Sequence, residues 1–389
     1  MGTSESECQH LISPLTRVQI SGDQALSTVN VIQECLQWLG RREQSTGQRR
    51  ALLAKYGAAT RDLRVTMSSS PYSPTLGIAA FLFTLYEMIV NIDSEDHTWQ
   101  IHLGGLLNIL SQLPSYQGDD QVQSVQLAIE IANSEGDPFQ ALASHDMGDI
   151  AKAFVILDIA MLRLRQVAED LENLCQEVKT PRKLDVQKLR ASIKHIQRNL
   201  NLFPKICQSL NFDIAEMHID DILGNHLLLA RVNDYHCLQI ITSDLLVETG
   251  RYVYSNGSFE KSKEYSILYG IIHQATRSIR AAVPGVLHRT AAQTQDYDNR
   301  PMKPLISGLL VVWPLCCCYK ASELSLSQQD WIRDTLWSIG SDGFIPKASA
   351  LAQSQGANAK WTDVLAGLLL VRVATSGELR CLVGCSGPL

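Results

Sequence analysis

Between residues 150 and 203 the apolar positions of the chain recur at alternating steps of four and three. Ile150, Phe154, Leu157, Met161, Leu164, Ala168, Leu171, Cys175 and Val178 form a first run, and Val186, Leu189, Ile193, Ile196, Leu200 and Phe203 a second. A repeat of about 3.5 residues keeps one narrow seam on one side of a helix and turns it toward a partner helix. The same pattern cannot be laid on a strand, where side chains alternate with a period of two. Thr180-Pro181 interrupts the two runs, because proline lacks an amide hydrogen and disfavours helix in the residue before it. The spacing therefore predicts two long helices closed into an antiparallel hairpin over 150–203. A coiled coil with a second chain is the other arrangement that such a seam would serve.

The remainder reads as helix as well. Residues 27–41 place Val29, Ile32, Leu36 and Leu39 on one face, and 48–67 do the same with Leu52, Tyr56, Ala59, Leu63 and Thr66. After the break SSSPYSP at 68–74, residues 75–91 are apolar almost all round, which predicts a helix surrounded by others. A helix over 97–113 contains Gly104-Gly105, a pair that would let a neighbouring helix come close. Further helices are expected at 215–232, 238–254 and 261–282, with Asn256-Gly257 as a turn, and the last at 327–339 and 345–353. The polar stretch 291–303 reads as a loop. The fold class predicted is all-α, a large multi-helix domain over 25–355 with an N-terminal arm at 1–24 and a divergent tail at 356–389.

Composition narrows the function. Of 389 residues 45% are hydrophobic and 19% charged, the balance of a globular chain with a sizeable core. The formal charge of −6 argues against a chain-wide nucleic-acid footprint, which needs a surplus of Lys and Arg. The opening MGTSESECQHLISPL is polar and acidic, which predicts no secretory leader and reduced thiols for the ten cysteines. The most apolar run, 305–319, contains Pro314 and falls short of the roughly 20 residues of a membrane span. It is expected to be a core helix, and the chain to have no membrane partner.

Chemistry-bearing motifs are sparse. The sequence holds no Gly-x-Ser-x-Gly elbow, no His-Glu-x-x-His helix and no phosphate loop, so no enzyme and no cofactor are predicted. The densest set of metal-ligand types is Glu216, His218, Asp220, Asp221, His226, Asp234 and His236. His218 and His226 stand two turns apart on a helix, about 12 Å, too far to share one ion. A polar helix face is the expectation there, and no metal. Cys316, Cys317 and Cys318 point about 100° apart on a helix and lie in an apolar run, so they should be protonated core thiols. Cys381 and Cys385 are too few for a structural zinc site. His145, Asp146 and Asp149 precede the 150 helix, where acids favour a helix N-terminus. The basic pairs Arg41-Arg42 and Arg49-Arg50 are diluted by polar neighbours and read as solvated surface. Glu87 ends an apolar helix and His102 follows Trp99 by one turn, which allows a buried Glu–His pair.

Six segments then occur in order: KYGAATRDLR (55–64), FLFTLYEMI (81–89), WQIHLGGLLNIL (99–110), IRAAVPGVL (279–287), GLLVVWPL (308–315) and DWIRDTLWSIGSDGFIPKASALA (330–352). This succession resembles the regulatory, middle to C-terminal domain of fungal transcription factors that carry a binuclear zinc cluster. It spans roughly residues 25 to 355. The positions that carry it are Tyr56 with Leu63 and Arg64, Tyr86-Glu87, Trp99 with His102 and Gly105, Pro284, Trp313-Pro314, Trp331 and Gly340. The resemblance implies an all-helical regulatory domain in the nucleus, with the cytoplasm as the other setting. It further implies control of transcription, often of secondary metabolism, and helical surfaces for protein partners or self-association. A small-molecule inducer pocket would also belong to it.

The family's DNA reader is a cluster of six cysteines followed by a basic linker. Before residue 27 this sequence has only Cys8 and no basic cluster, and the stretch LLLVRVATSGELRCLVGCSGPL at its end drifts from the family. The chain alone is therefore expected not to bind DNA in the family's way. Two other readings stand beside this one. In the first, the helical domain serves as a small-molecule-binding protein or biosynthetic enzyme, its pocket lined by Tyr86, Trp99, His102, His236 and Trp313. In the second, the 150–203 hairpin makes the chain an interaction scaffold.

Overall fold

The structure is a computed structural model that describes residues 46–69, 74–90, 98–112, 122–134, 138–145, 147–177, 183–209, 226–254, 257–294, 302–321, 324–342, 345–354 and 359–375. In chain order its helices are α1 (Thr46–Ser69), α2 (Pro74–Val90), α3 (Thr98–Gln112), α4 (Val122–Ala132), α5 (Pro138–Ala143), α6 (Asp149–Glu177) and α7 (Lys183–Leu200). There follow α8 (Phe203–Ser209), α9 (His226–Val253), α10 (Lys263–Thr294), α11 (Met302–Lys320), α12 (Leu326–Asp342), α13 (Pro346–Gln353) and α14 (Trp361–Thr375). No strand occurs among the described residues, so the fold is all-α. None of their helices is long and apolar enough to cross a membrane. The helix expected at 27–41 and the arm at 1–24 lie outside the described residues.

The seam at 150–203 folds as α6 and α7, which pack on each other across a short connection. Leu164, Ala168 and Leu171 from one helix and Ile193, Ile196 and Leu200 from the other are buried in the same core. Beyond α7 the chain turns so that α8 contacts α6, and its Ile206 packs against the apolar cluster that includes Ile156 and Ile159 near the start of α6, as an antiparallel course requires. The outer side of α7 is covered by α9, so the seam is filled from within one chain.

Two helices differ from the reading of the sequence. Helix α9 is continuous from His226 to Val253 and contacts α6, α7, α10, α11 and α14, whereas a break between 232 and 238 was expected. The polar run Asn233-Asp234 in that gap is buried, and the Asp234 carboxylate finds its partner inside the core. Helix α14 lies in the span set apart as a tail, yet every residue from Trp361 to Val373 is buried. It packs against α2, α3, α6, α9 and α11. A helix apolar around its whole circumference is a central helix, and VLAGLLLVRV meets that description.

Helix α10 also runs on past its expected end at 282 and into the stretch read as loop. Leu268, Ile272, Ala275, Ile279, Val283 and Val286 make one buried stripe that carries the helix through Pro284, which sits on the exposed side. Helices α4 and α5 were not anticipated at all.

Among the described residues Gly104 and Gly105 do not mark a close helix approach: a Cβ at either would meet none of their atoms within 4 Å. Without a packing reason, glycine inside α3 is a cost in chain entropy. Gly105→Ala should therefore raise stability by about 0.5–1 kcal/mol, read as a higher urea midpoint. A lower midpoint would mean that the position has a contact not seen in this fold.

Candidate functional site

Helix α2 opens on a proline, a residue suited to the first helical position, and its second half brings Phe83, Tyr86 and Glu87 to the junction with α1 and α3. Tyr56 of α1 donates its hydroxyl proton to Glu87 Oε1 at 2.5 Å. The Tyr56 ring lies 4.8 Å from that of Tyr86 and edge-on to Phe83 at 5.1 Å. From the other side His102 of α3 places Nε2 3.4 Å from Glu87 Oε2. Glu87 thus links α1 to α3 through α2. Its side chain is 17% exposed and that of His102 26%, so water screens the pair less than it would a surface pair. The sequence allowed a buried Glu–His pair; here the two side chains meet at 3.4 Å and are partly exposed, and Tyr56 is a third member that sequence spacing did not indicate.

The cluster continues inward. Trp99, one turn before His102, is buried against Trp313 of α11 with ring centroids 5.7 Å apart. The Trp313 indole N–H donates to Met88 Sδ at 3.1 Å, returning the contact to α2 beside Glu87. Pro314 is buried within α11. On α1 the backbone of Leu63 and Arg64 lies two turns beyond Tyr56, and on α3 Gly105 lies one turn beyond His102. The other motif positions are not brought here. Trp331 of α12 sits beneath Arg280 of α10, with Cζ 4.8 Å from the ring centroid. Gly340 abuts α13, where a Cβ would stand 1.9 Å from Ser349 Oγ and 2.6 Å from its backbone nitrogen.

The remaining candidates separate as their chemistry requires. Among the described residues no group of three or more His, Cys, Asp and Glu could hold a metal ion. Glu216, His218, Asp220 and Asp221 lie outside those residues. His236 shares its Nδ1 with Gln239 Oε1 at 3.4 Å, and burial pushes its imidazole down to about 4, so it is neutral at physiological pH. The three consecutive cysteines are fully buried. Burial pushes the Cys316 thiol up to about 12 and those of Cys317 and Cys318 well above the ordinary value, and Cys317 Sγ donates to the Cys237 carbonyl at 3.6 Å. Such thiols are packing groups.

One buried cluster escaped the reading of the sequence. Asp158 of α6 accepts from Arg231 of α9 at 2.8 and 3.4 Å and from Arg372 of α14 at 3.0 and 3.2 Å. Arg231 also donates to Asp234 at 3.1 Å. All four side chains are almost wholly buried. Burial raises the Asp234 carboxyl to about 7 and that of Asp158 to about 6, against the pull of Arg231. A signal for this cluster was present. Each of Asp158 (FVILDIAML), Arg231 (LLLARV) and Arg372 (LLLVRV) is a lone charge inside an apolar run. A buried charge must find an opposite one, and these runs supply both signs.

Room for a ligand lies elsewhere. A groove of about 800 Å³ runs between α3, α4, α6 and α7, with Leu107, Ile129 and Val167 on its apolar wall. Burial holds the Arg165 guanidinium at its edge below its ordinary value, opposed by Glu169. Arg163 fixes the end of α4 by donating to the carbonyls of Ile131 at 3.1 Å and Ser134 at 3.0 Å. Tyr86, Trp99, His102, His236 and Trp313 do not line this groove. No family model, no curated protein and no solved structure matches the chain.

Proposed function

We propose that this chain is a helical regulatory module of a transcriptional regulator, of the type found beside the zinc cluster of fungal factors. It acts in the nucleus through binding. The observation that carries this reading is the meeting of Tyr56, Tyr86, Glu87, Trp99, His102 and Trp313. They come from segments far apart in sequence and join through direct contacts into one line across α1, α2, α3 and α11. Residues of a sequence signature that pack on each other, away from the groove, are the trace of a shared architecture; a shared reaction would gather them around open space. In this reading the groove between α3, α4, α6 and α7 is where an inducer has room, and helical faces serve protein partners. Reading of DNA falls to another element.

The test is a fusion of the chain to a heterologous DNA-binding domain in a fungal host that carries the matching reporter. The fusion should change reporter output relative to the DNA-binding domain alone, upward or downward. The purified chain should give no sequence-dependent shift of duplex DNA. Unaltered reporter output from a well-expressed fusion, or tight sequence-specific binding by the chain itself, would refute the reading.

A further inference from the structure

A second recess, of about 590 Å³, opens between α10 and the first turns of α12. The side chains that line it are His273, Gln274, Arg277 and Arg280 from α10 and Gln328 from α12, whose aliphatic stems form much of the wall behind their polar heads. The α10 residues recur at one, three and three positions, which puts them on one helix face. Among the described residues no carboxylate lines the recess. The acids of the neighbouring turns, Asp330 and Asp334, are engaged by Arg333 at 2.8 and 3.0 Å. Arg277 and Arg280 form no ion pair among the described residues.

The groups are also held in place. The Arg280 guanidinium lies over the Trp331 indole at 4.8 Å, which fixes its plane and leaves its edge for in-plane acceptors. The His273 ring is braced by Tyr269 at 4.2 Å. Gln328 spends its carboxamide oxygen on the Ser325 N–H at 3.0 Å and the Ser325 hydroxyl at 3.1 Å, a capping arrangement that leaves its amide N–H groups to donate. Two buried nitrogens, His273 Nε2 and Arg280 Nε, have no hydrogen-bond partner among the described residues. Buried polar atoms are satisfied as a rule, and each exception asks for a partner from outside.

A concave site of cations and fixed donors, with no acidic wall, is complementary to an oxyanion with acceptors on several sides. We propose that this recess binds the phosphate group of a small molecule. Arg277 and Arg280 supply the charge, and His273, Gln274 and Gln328 donate to the remaining oxygens. Two arginines in one recess match a single phosphate group; a duplex would require a long stripe of such contacts on a chain that is acidic overall. The site goes beyond the regulatory reading and does not depend on it.

The test uses the full chain with inorganic phosphate and pyrophosphate as probes, by calorimetry and thermal melting at constant ionic strength set with chloride. Binding should saturate, and the melting temperature should rise with probe concentration. Arg277→Gln and Arg280→Gln should each weaken binding about tenfold or more, as the loss of a charge-assisted contact does. Arg198→Gln, on an exposed part of α7, should leave it unaltered. Arg280→Gln also removes a packing contact with Trp331. The exposed Arg277 therefore carries the decision: its variant should melt like the parent without probe and respond weakly with it. Absence of saturation, a response equal to that of chloride, unweakened binding by Arg277→Gln, or binding of duplex DNA but of neither probe would each overturn the proposal.

Discussion

Arg231→Met is expected to cost about 3–5 kcal/mol of folding stability at pH 8. Methionine keeps most of the volume, so the loss is electrostatic. Arg231 bonds Asp158 at 2.8 Å and Asp234 at 3.1 Å, and without it Asp158 keeps Arg372 while the buried Asp234 loses its guanidinium. The loss should depend on pH in one direction. A carboxyl whose folded value is raised supports folding at low pH, and this support is lost as pH rises through that value. In the parent, that loss is complete not far above pH 7, since burial raises Asp158 to about 6 and Asp234 to about 7. Removing the Arg231 pull moves both higher, so the variant continues to lose stability where the parent no longer does. The gap between the two should therefore be wide at pH 8 and narrow at pH 5.5. Arg231→Met combined with Asp234→Asn should recover much of the loss, because it leaves one carboxylate, Asp158, against one guanidinium, Arg372. Urea titrations of the three proteins at both pH values decide the matter. A cost below about 1 kcal/mol, or a gap indifferent to pH, would show that the cluster is solvated.

The same cluster marks the border of what the sequence makes legible. Periodicity located α6 and α7 because a seam of 3.5 residues needs only local information. It also placed α2, α3 and α13 within a residue of their ends. It failed where tertiary context overrides local pattern. Asn233-Asp234 looks like a break until Arg231 and Asp158 are seen to absorb its charge inside α9. Pro284 looks like a stop until the stripe from Ile279 to Val286 continues beneath it. Helix α14 has no amphipathic rhythm because all its sides are covered, so pattern alone could not distinguish a central helix from a tail. At the candidate site the sequence allowed a Glu87–His102 pair, and the packing of α2 on α3 decides it. Tyr56 was read as a helix-face and motif position without a partner, since its bond to Glu87 depends on how α1 crosses α2. The groove and the basic recess were not visible at all, for each is made by elements that only the fold brings together.

Gly367→Ala tests whether α14 belongs to the motif cluster. A Cβ at this position would lie 2.1 Å from Trp313 Cε2, 2.2 Å from Cδ2 and 2.5 Å from Nε1. The obstacle is a rigid ring, not the tip of a flexible chain, and that ring is bounded by Trp99 and bonded to Met88. Helix propensity favours alanine by about 1 kcal/mol, but overpacking a filled core costs about 1–3 kcal/mol and occasionally more. With a contact this short the steric cost wins, and the variant should be less stable than the parent. Trp313→Phe gives back volume at the point of collision while opening a cavity of its own, so the double variant should be more stable than the sum of the two single losses allows. The comparison needs urea unfolding of the parent, both single variants and the double. Strict additivity, or a Gly367→Ala protein as stable as the parent, would separate α14 from Trp313. The expected non-additivity would tie the helix furthest along the described chain to the line of contacts that begins at Tyr56.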